Sequence, residues 1–206
     1  NDLMIRRLKT NPNMVHSDGS PMFPEKEIDT LSVEFTSEED ELYQDITDYL
    51  RNSYRLGDEQ ESQAAAFSMV IYQKRLVSSI RAIQKSLEKR AEALKNGGSN
   101  QLSPSAESLL DQYRERPETL TESQRQHVED ELQKISTKQD PEQRMQELEV
   151  VENLIDRARA IDIDSKARRL RMAIENLLEA DPNEKVLVFT EYTDTLEYLR
   201  DEILSE

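Results

Sequence analysis

The chain has 206 residues, of which 35% are hydrophobic and 34% are charged, and its formal net charge is −16. Such a charged fraction is unusual for a compact globule and typical of long helices that each carry one narrow apolar stripe. Four glycines and 5% aromatic residues disfavour an all-β sandwich or barrel, and zero cysteines exclude disulfides and thiolate metal sites.

Charge and hydropathy also restrict the partners of the chain. With a net charge of −16 it cannot wrap nucleic acid over its whole surface, so any contact with DNA must be local. The two histidines, His16 and His127, lack metal-ligand spacing. No stretch approaches the roughly 18 apolar residues of a membrane span, and no signal peptide is evident. We therefore expect a cytoplasmic protein without a membrane partner.

The first 35 residues predict little helix. A basic apolar opening with the motif RRLK at residues 6–9 leads into a loop, residues 10–24, that contains three prolines and one glycine. Between Lys26 and Phe35 polar and apolar residues mostly alternate, which is the period of a half-buried strand. The sequence therefore predicts a short strand near the N-terminus.

A helical region is predicted to follow. The sequence TSEE at residues 36–39 is a capping box, and a helix should run from it to about Tyr54. From about Glu61 to Lys95 there is no Pro or Gly, which predicts one long helix with a single coiled-coil-like seam. The seam consists of Leu76, Ile80, Ile83, Leu87, Ala91 and Leu94.

Capping residues mark the boundaries of the next helices. The sequence NGGSN at residues 96–100 ends the long helix, since glycine accepts the left-handed conformation that a helix C-terminus often needs. Three starts are predicted, at Ser103-Pro104, at Thr121 with Gln124, and at Asp140-Pro141. The helix after Asp140 is rich in apolar residues, and we expect it to pack on the long helix as an antiparallel partner.

The last part of the chain changes character. An amphipathic helix, residues 164–179, is broken at residues 181–183, and the run VLVF at 186–189 is typical of a strand buried on both faces of a parallel sheet. A helix over 193–204 should follow. Its predicted inward residues are Leu196, Leu199 and Ile203. One strand and one helix cannot form a doubly wound lobe, so we expect a fragment that stops just after entering one. A start without Met suits either a fragment or a cleaved leader.

No catalytic constellation is evident. None of the four glycines precedes a lysine, so a G-x-x-x-x-G-K-[ST] phosphate-binding loop is absent from the sequence. No Ser/His/Asp arrangement stands out, and the carboxylates are predicted to form a solvated helix surface, with no paired general acid and base. A single-domain hydrolase is the least favoured function, and we expect no catalytic, cofactor-binding or metal-binding residue in this chain.

One segment of the long helix is strongly basic. Residues 72–95 contain seven Lys or Arg against two Glu, a local charge of +5. Two interpretations are open: neutralisation by acidic parts of the same chain, such as residues 25–61, or contact with a nucleic-acid backbone. The residues that could share a stripe for phosphate contact are Lys74, Arg81, Lys85 and Lys89. A second basic group within residues 166–171 is interpreted as solvated surface.

The succession of these pieces resembles one known family. It comprises RRLK at 6–9, a proline-containing loop, the strand at 26–35, TSEE leading to Leu42-Tyr43, DSK at 164–166 leading to Leu170, and KVLVFTEY at 185–192. Together these resemble the Swi/Snf-related ATP-dependent DNA translocases of helicase superfamily two. With QKRLVSS at 73–79, the chain is most similar to prokaryotic members of the RapA-like sort. The resemblance covers both ends and the first half, whereas residues 100–160 match nothing diagnostic.

The resemblance implies a domain organisation and a role. Residues 1–35 would be the exit of the first RecA-like motor lobe with a linker strand, 36–180 a helical protrusion, and 181–206 the start of the second lobe. The parent helicase-like hydrolase would use ATP and Mg to move along double-stranded DNA. The family's nucleotide-binding motifs and arginine fingers are absent here, so this segment alone should be inactive.

The resemblance also implies one contact with DNA. Thr190 would correspond to the strand end at which superfamily-two motors touch a DNA phosphate, because a hydroxyl and a backbone N–H there can donate to a phosphate oxygen. The alternative is that Thr190 only caps the following helix.

A function of a different class is also compatible with the sequence. The chain would then be a freestanding helical interaction module whose seam binds a partner helix and whose terminal strand is incidental. A phosphate-binding loop and an acidic Mg-binding motif upstream of Asn1 in the parent gene would distinguish the two functions.

Overall fold

The structure is a computed structural model of the chain. It describes residues 15–20, 22–23, 28–53, 59–97, 102–115, 119, 121–134 and 140–205. The chain divides into two compact units, Asn1–Ser32 and Val33–Glu206. The predicted opening at residues 6–9 lies outside the described residues.

The described part of the first unit contains a tight turn. His16 N donates to Ser20 O at 2.8 Å, and Gly19 N donates to His16 O at 2.9 Å. Gly19 has a φ of +86°, a conformation that side chains with a Cβ rarely adopt. The Asp18 carboxylate accepts hydrogen bonds from the amide and the hydroxyl of Ser20, which closes the turn. The prediction of a loop here is confirmed.

The second unit is mainly helical, as predicted. Its elements are α1 Ser37–Ser53, α2 Glu59–Ser78, α3 Ile80–Lys95, α4 Pro104–Glu115, α5 Glu122–Lys134, α6 Pro141–Ala160, α7 Ser165–Ala180, α8 Thr193–Tyr198 and a π-helical turn Leu199–Ile203. No helix in the described ranges combines the length and the apolar character that a membrane span requires.

The helix boundaries follow the predicted caps. Thr36 N donates to Glu39 Oε2 at 2.8 Å and Glu39 N donates to Thr36 Oγ1 at 3.2 Å, which is a complete capping box. Thr121 and Gln124 exchange the same two bonds at 2.9 and 3.3 Å. Helices α4 and α6 begin at the predicted prolines. Gly97 follows α3 with a φ of +94°.

The main core lies between α1, α2, α3 and α6. Its fully buried aliphatic side chains include Leu42, Ile46, Leu50, Ile83, Leu87 and Val151. Glu88 pairs with Arg159 near the end of α6, whereas Lys95 at the end of α3 pairs with Glu152. The two helices therefore run in opposite directions, and the predicted antiparallel packing is confirmed. A smaller apolar cluster joins α2 to α4 and α5.

The predicted single helix over 61–95 is wrong, because it is two helices. Ser79 is extended, with φ −161° and ψ 157°, and separates α2 from α3. Its hydroxyl accepts a hydrogen bond from Ala82 N at 3.0 Å and so caps α3. The helical spacing of apolar residues continues across the break, and apolar spacing carries no information about tertiary hydrogen bonds.

The two predicted strands are not formed by the described residues. Residues 28–36 and 184–190 have no regular secondary structure. A strand exists only through hydrogen bonds to a neighbouring strand, and no ladder is present within the described ranges. Leu187 and Phe189 are 77% and 85% exposed, while Val188 packs against the C-terminal cluster. Side chains in this segment therefore alternate between exposed and packed positions, as in a strand, although the segment belongs to no sheet within the described residues.

The C-terminal helix packs differently from the prediction. Leu199 and Ile203 are buried as expected, but Leu196 is 48% exposed and Tyr198 takes an inward position. The inward face of α8 is set by Thr195, which is buried and hydrogen-bonded to the α2–α3 break, so that Leu196 points away. The final turn is π-helical, with Leu204 N donating to Leu199 O at 2.8 Å.

Candidate functional site

Polar side chains from four parts of the fold converge on the break at Ser79. An unbroken helix would pair the amides of residues 80–82 with the carbonyls of residues 76–78. Breaking it leaves these groups without helical partners, and buried backbone groups need partners. We call the break and the side chains that satisfy it the junction: Tyr43, Arg75, Ser78, Ser79, Asp164, Lys166, Asp194 and Thr195.

The freed carbonyls are occupied by side chains from α1 and α7. Tyr43 Oη donates to Leu76 O at 2.6 Å. Lys166 Nζ donates to Val77 O at 2.5 Å and to Ser78 O at 3.2 Å. Burial raises the pKa of Tyr43 well above its ordinary value, so its hydroxyl remains a donor over the physiological range. All three carbonyls at the end of α2 are therefore satisfied.

One carboxylate caps two helices at the junction. Asp164 Oδ2 accepts from Ile80 N at 3.2 Å, and Asp164 Oδ1 accepts from Ala167 N at 2.8 Å. The backbone N of Asp164 donates to Tyr198 Oη at 3.2 Å. Burial raises the pKa of Tyr198 to about 12. Asp164 thus joins the starts of α3 and α7 and connects both to α8.

The C-terminal segment reaches the junction through Thr195. Its Oγ1 lies 2.8 Å from Ser78 Oγ and 2.8 Å from Ser79 Oγ. Thr195 and Ser79 are buried, so these hydroxyls satisfy one another away from water. The contact fixes the start of α8 against the break.

Arg75 is the fully buried centre of the junction. Its guanidinium forms an ion pair with Asp194 and donates to Ala82 O at 3.3 Å, across the break. Its Cζ lies 5.0 Å from the centre of the Tyr192 ring, a cation–π contact. One side chain of α2 therefore connects to α3 and to the residues that begin α8.

A buried glutamate on α5 lies on the far side of Arg75. Glu129 Oε2 is 3.8 Å from Arg75 Nη1, and Glu129 is 2% exposed. Burial raises the pKa of Glu129 to about 7; Arg75 opposes the rise and Glu191 adds to it. The ion pair favours the charged carboxylate and burial disfavours it. The effect of burial is the larger of the two, so the pKa of Glu129 rises.

Glu39 connects the start of α1 to the start of α7. Besides its role in the capping box, its Oε1 accepts from Ser165 N at 2.6 Å and its Oε2 from Ser165 Oγ at 2.5 Å. Glu39 is 2% exposed. This contact adjoins Asp164, so α1, α3 and α7 are joined at one place.

A second buried ion pair lies away from the junction, between α3 and α6. Arg90 Nη2 donates to Glu147 Oε1 at 2.7 Å, and both side chains are 1% exposed. Tyr49 Oη on α1 donates to the same carboxylate oxygen at 2.8 Å. This network fixes the relative position of three helices of the main core.

The four basic residues predicted to contact DNA all have carboxylate neighbours. The ion pairs are Lys74–Glu191 at 3.4 Å, Arg81–Glu202 at 2.5 Å, Lys85–Glu88 at 3.6 Å and Lys89–Asp130 at 2.6 Å. The cations are 30 to 49% exposed. Exposed pairs contribute about 0 to 1 kcal/mol, so a phosphate could displace them. Contact of these residues with DNA stays a prediction.

The break divides the predicted basic stripe. Arg81, Lys85 and Lys89 are four residues apart and lie along one side of α3, whereas Lys74 lies on α2. Lys74 pairs with Glu191, which directly follows Thr190 in the sequence. The segment that contains Thr190 is therefore connected to α2 by an ion pair at the residue that follows Thr190.

Thr190 does not cap α8. The N-cap of that helix is Tyr192, and Leu196 N donates to Tyr192 O at 3.0 Å. The capping alternative for Thr190 is therefore wrong. Thr190 is partly exposed, in the segment that lacks regular structure.

Most residues of the junction were not predicted from the sequence. The carboxylates on the helix faces and Lys166 were expected on a solvated surface, but Glu129, Glu147 and Asp164 are buried and Lys166 caps α2. The usable signal was the pair Ser78-Ser79, because serine is unfavourable inside helices and favoured at their N-caps.

The described residues contain no group of three or more metal-ligating side chains arranged to hold an ion. A groove of 530 Å³ between α3 and α6 is lined by Glu88, Glu92, Glu152, Asp156, Lys95 and Arg159 together with two apolar residues. No family model, no curated protein and no solved structure matches the chain.

Proposed function

We propose that this chain is the segment of a cytoplasmic Swi/Snf-type DNA translocase, of the RapA-like sort, that links the two motor lobes. Residues 1–35 would leave the first lobe, residues 36–180 would form the helical protrusion, and residues 181–206 would begin the second RecA-like lobe. The observation that carries the proposal is the run at residues 186–189, which has the sequence of a buried parallel strand but is not part of a sheet within the residues that the structure describes.

The exposed apolar side chains near the C-terminus support this proposal. Leu187 and Phe189 are 77% and 85% exposed, although the run VLVF is typical of a strand covered on both faces. Leu177 and Leu178 at the end of α7 are 51% and 39% exposed. Large contiguous exposed apolar patches mark surfaces that bind another part of an assembly, and we infer that these side chains belong to such a surface. The rest of an α/β lobe would cover it.

The mechanism assigned to this segment is transmission of movement. The lobes of the parent would bind ATP and Mg and hydrolyse ATP, and the junction would carry displacement of the second lobe into α2 and α3. Arg75, Asp194 and Thr195 connect the start of α8 to the break through buried contacts, so displacement at one side is resisted at the other. Buried polar contacts suit this role because separating them would leave buried polar groups without partners, which costs free energy.

We assign the proposed contacts with double-stranded DNA to one hydroxyl and four cations. The Thr190 hydroxyl would donate to a backbone phosphate, and the cations would come from Lys74, Arg81, Lys85 and Lys89. Their carboxylate partners would exchange for phosphate on binding. Because phosphate contacts carry no base information, binding would be independent of DNA sequence.

A helical interaction module remains the second proposal, but the seam predicted to bind its partner helix is buried in the chain's own core, so a partner would need another surface. It is favoured by Leu177 and Leu178 near the end of α7, which are 51 and 39% exposed. These side chains could hold the apolar face of a partner helix. The translocase proposal requires ATP hydrolysis stimulated by double-stranded DNA in the parent protein, and the module proposal requires none.

The decisive experiment measures DNA affinity of the parent protein against salt concentration. Changing Lys74, Arg81, Lys85 and Lys89 to Ser should reduce the slope of log K against log salt by about 0.9 for each lost phosphate contact. The reduction should be equal for unrelated DNA sequences. It should come to about 3 to 4 if all four residues contact phosphates.

A matched control changes four other paired cations to Ser, Lys95, Arg157, Arg159 and Arg171. The net charge changes equally in both variants, so a slope altered only in the first variant locates the DNA contact. Equal slopes in the two variants, or no DNA-stimulated ATP hydrolysis by the parent, would overturn the proposal.

A further inference from the structure

We propose that the break at Ser79 is a two-state joint. It is open while Asp164, Lys166 and Thr195 occupy it, and it closes into one continuous helix formed by α2 and α3 when those side chains withdraw. This inference rests on the contacts of the junction and is independent of the proposed motor function.

The local sequence favours the continuous helix. Residues 61–95 contain neither Pro nor Gly, and apolar residues keep their helical spacing from Leu76 through Ile80 to Leu94. Most residues on both sides of Ser79 are acceptable helix formers. No local signal except the serine pair interrupts the helix, so the break must be maintained by the rest of the protein.

The hydrogen bonds at the break show what maintains it. The groups that a continuous helix would pair with one another are instead held from outside: Ile80 N by Asp164, Leu76 O by Tyr43, and Val77 O and Ser78 O by Lys166. Withdrawal of these side chains leaves the backbone groups unpaired. Forming the helical bonds would then satisfy them within the chain.

The joint responds to elements that are distant in the sequence. Its external partners belong to α1, to the turn before α7, to α7 and to α8. Thr195 bonds to the hydroxyl of Ser79, which in turn caps α3. Undocking of α8 and of the start of α7 would therefore remove the caps together. The joint thus converts the position of the C-terminal segment into the shape of the α2–α3 helix pair.

Ser79 itself is the reporter for the test. In the full chain labelled with ¹³C-serine, the Ser79 Cα and Cβ resonances distinguish an extended residue from a helical one, and a Ser79→Ala spectrum assigns them. The triple variant Asp164→Ala, Lys166→Ala, Thr195→Val should move the Ser79 Cα resonance downfield and Cβ upfield, to helical values. A folded triple variant in which Ser79 stays extended would overturn the proposal.

Two milder variants cover the case in which the triple variant does not fold. Lys166→Met and Thr195→Val each remove one contact and should each raise the helical population of Ser79 in a folded protein. Arg171→Met is the matched control, since it removes a partly exposed cation of α7 that pairs with Glu175. Unchanged Ser79 resonances in both milder variants would also overturn the proposal.

Discussion

At the scale of single residues, buried charges hold this fold together alongside apolar side chains. Arg90 and Glu147 pair at 2.7 Å with 1% of each side chain exposed, and Tyr49 donates to the same carboxylate. The attraction between two buried charges roughly offsets the cost of taking both of them out of water. Removing one of them leaves the other buried without compensation, which is far more costly than losing a surface pair.

We expect Arg90→Met to lower the free energy of unfolding by about 3 to 5 kcal/mol, since Glu147 would be left as a buried charge. Urea unfolding followed by circular dichroism measures the loss. Lys95→Met is the matched control on the same helix, because its pair with Glu152 is about half exposed, and its loss should be less than about 1 kcal/mol. Equal losses in the two variants would contradict a dominant role for burial.

Glu129 makes the stability of the chain depend on pH. Burial raises its pKa to about 7 from an ordinary value of 4.5, so the folded state holds a proton that the unfolded state releases. Between those two values the unfolded state binds fewer protons, and the free energy of unfolding therefore falls as pH rises. The fall attributable to Glu129 is about 3 kcal/mol.

The variant Glu129→Gln should remove this dependence, because an amide is neutral on both sides of the window. Relative to the native chain, we expect the variant to gain about 3 kcal/mol of unfolding free energy between pH 4.5 and pH 8. Urea unfolding of both proteins at the two pH values gives the difference, in which the other titrating groups cancel. A difference that is constant with pH would show that folding does not shift the pKa of Glu129.

At the scale of elements, two capping boxes with the same local geometry have different surroundings. Thr121 and Gln124 form their box at a more exposed position, where their side chains bond to one another and Thr121 Oγ1 lies 3.3 Å from Ser123 Oγ. Glu39 is buried, and its carboxylate also holds both the amide and the hydroxyl of Ser165. The box at Glu39 therefore determines how α1 and α7 meet, whereas the box at Thr121 only starts α5.

We predict that Gln124→Ala costs about 0.5 to 2 kcal/mol, the usual value of a helix cap. Glu39→Ala should cost at least about 2 kcal/mol more, because it also leaves buried donors of Ser165 without a partner. Denaturant unfolding of both variants measures the two costs. Similar costs would mean that the contact between Glu39 and Ser165 contributes little.

The elements also show what the sequence could and could not predict. Starts at Thr36, Ser103, Thr121 and Asp140 were predictable because each cap is formed by residues within three positions of one another. The break at Ser79 was not, since its partners Asp164 and Thr195 lie far along the chain. The same holds for the candidate site, because a sequence pattern cannot show that Lys166 reaches the end of α2.

At the scale of the whole molecule, features set by interactions between residues close in the sequence could be predicted, and features set by distant residues could not. The mainly helical class and the antiparallel packing of α3 and α6 follow from apolar periodicity, which is a local property. The segment 186–189 was predicted as a strand from its composition, but a strand requires a neighbour, and the composition of one segment does not supply one. Arg75 and Arg90, two other basic residues of the segment 72–95, are buried because carboxylates from other helices pair with them, and the local sequence does not reveal those partners.

The exposed side chains of Leu187 and Phe189, within the run at residues 186–189, also affect the tendency of the chain to associate with itself. Short apolar segments with high β-propensity and no proline associate edge to edge. Glu184, Lys185 and Glu191 bracket the run as charged gatekeepers, and the net charge of −16 keeps molecules apart. Salt shortens the range of that repulsion from about 30 Å at 0.01 M to about 3 Å at 1 M, whereas the apolar attraction persists. Rising ionic strength therefore favours self-association of this acidic chain.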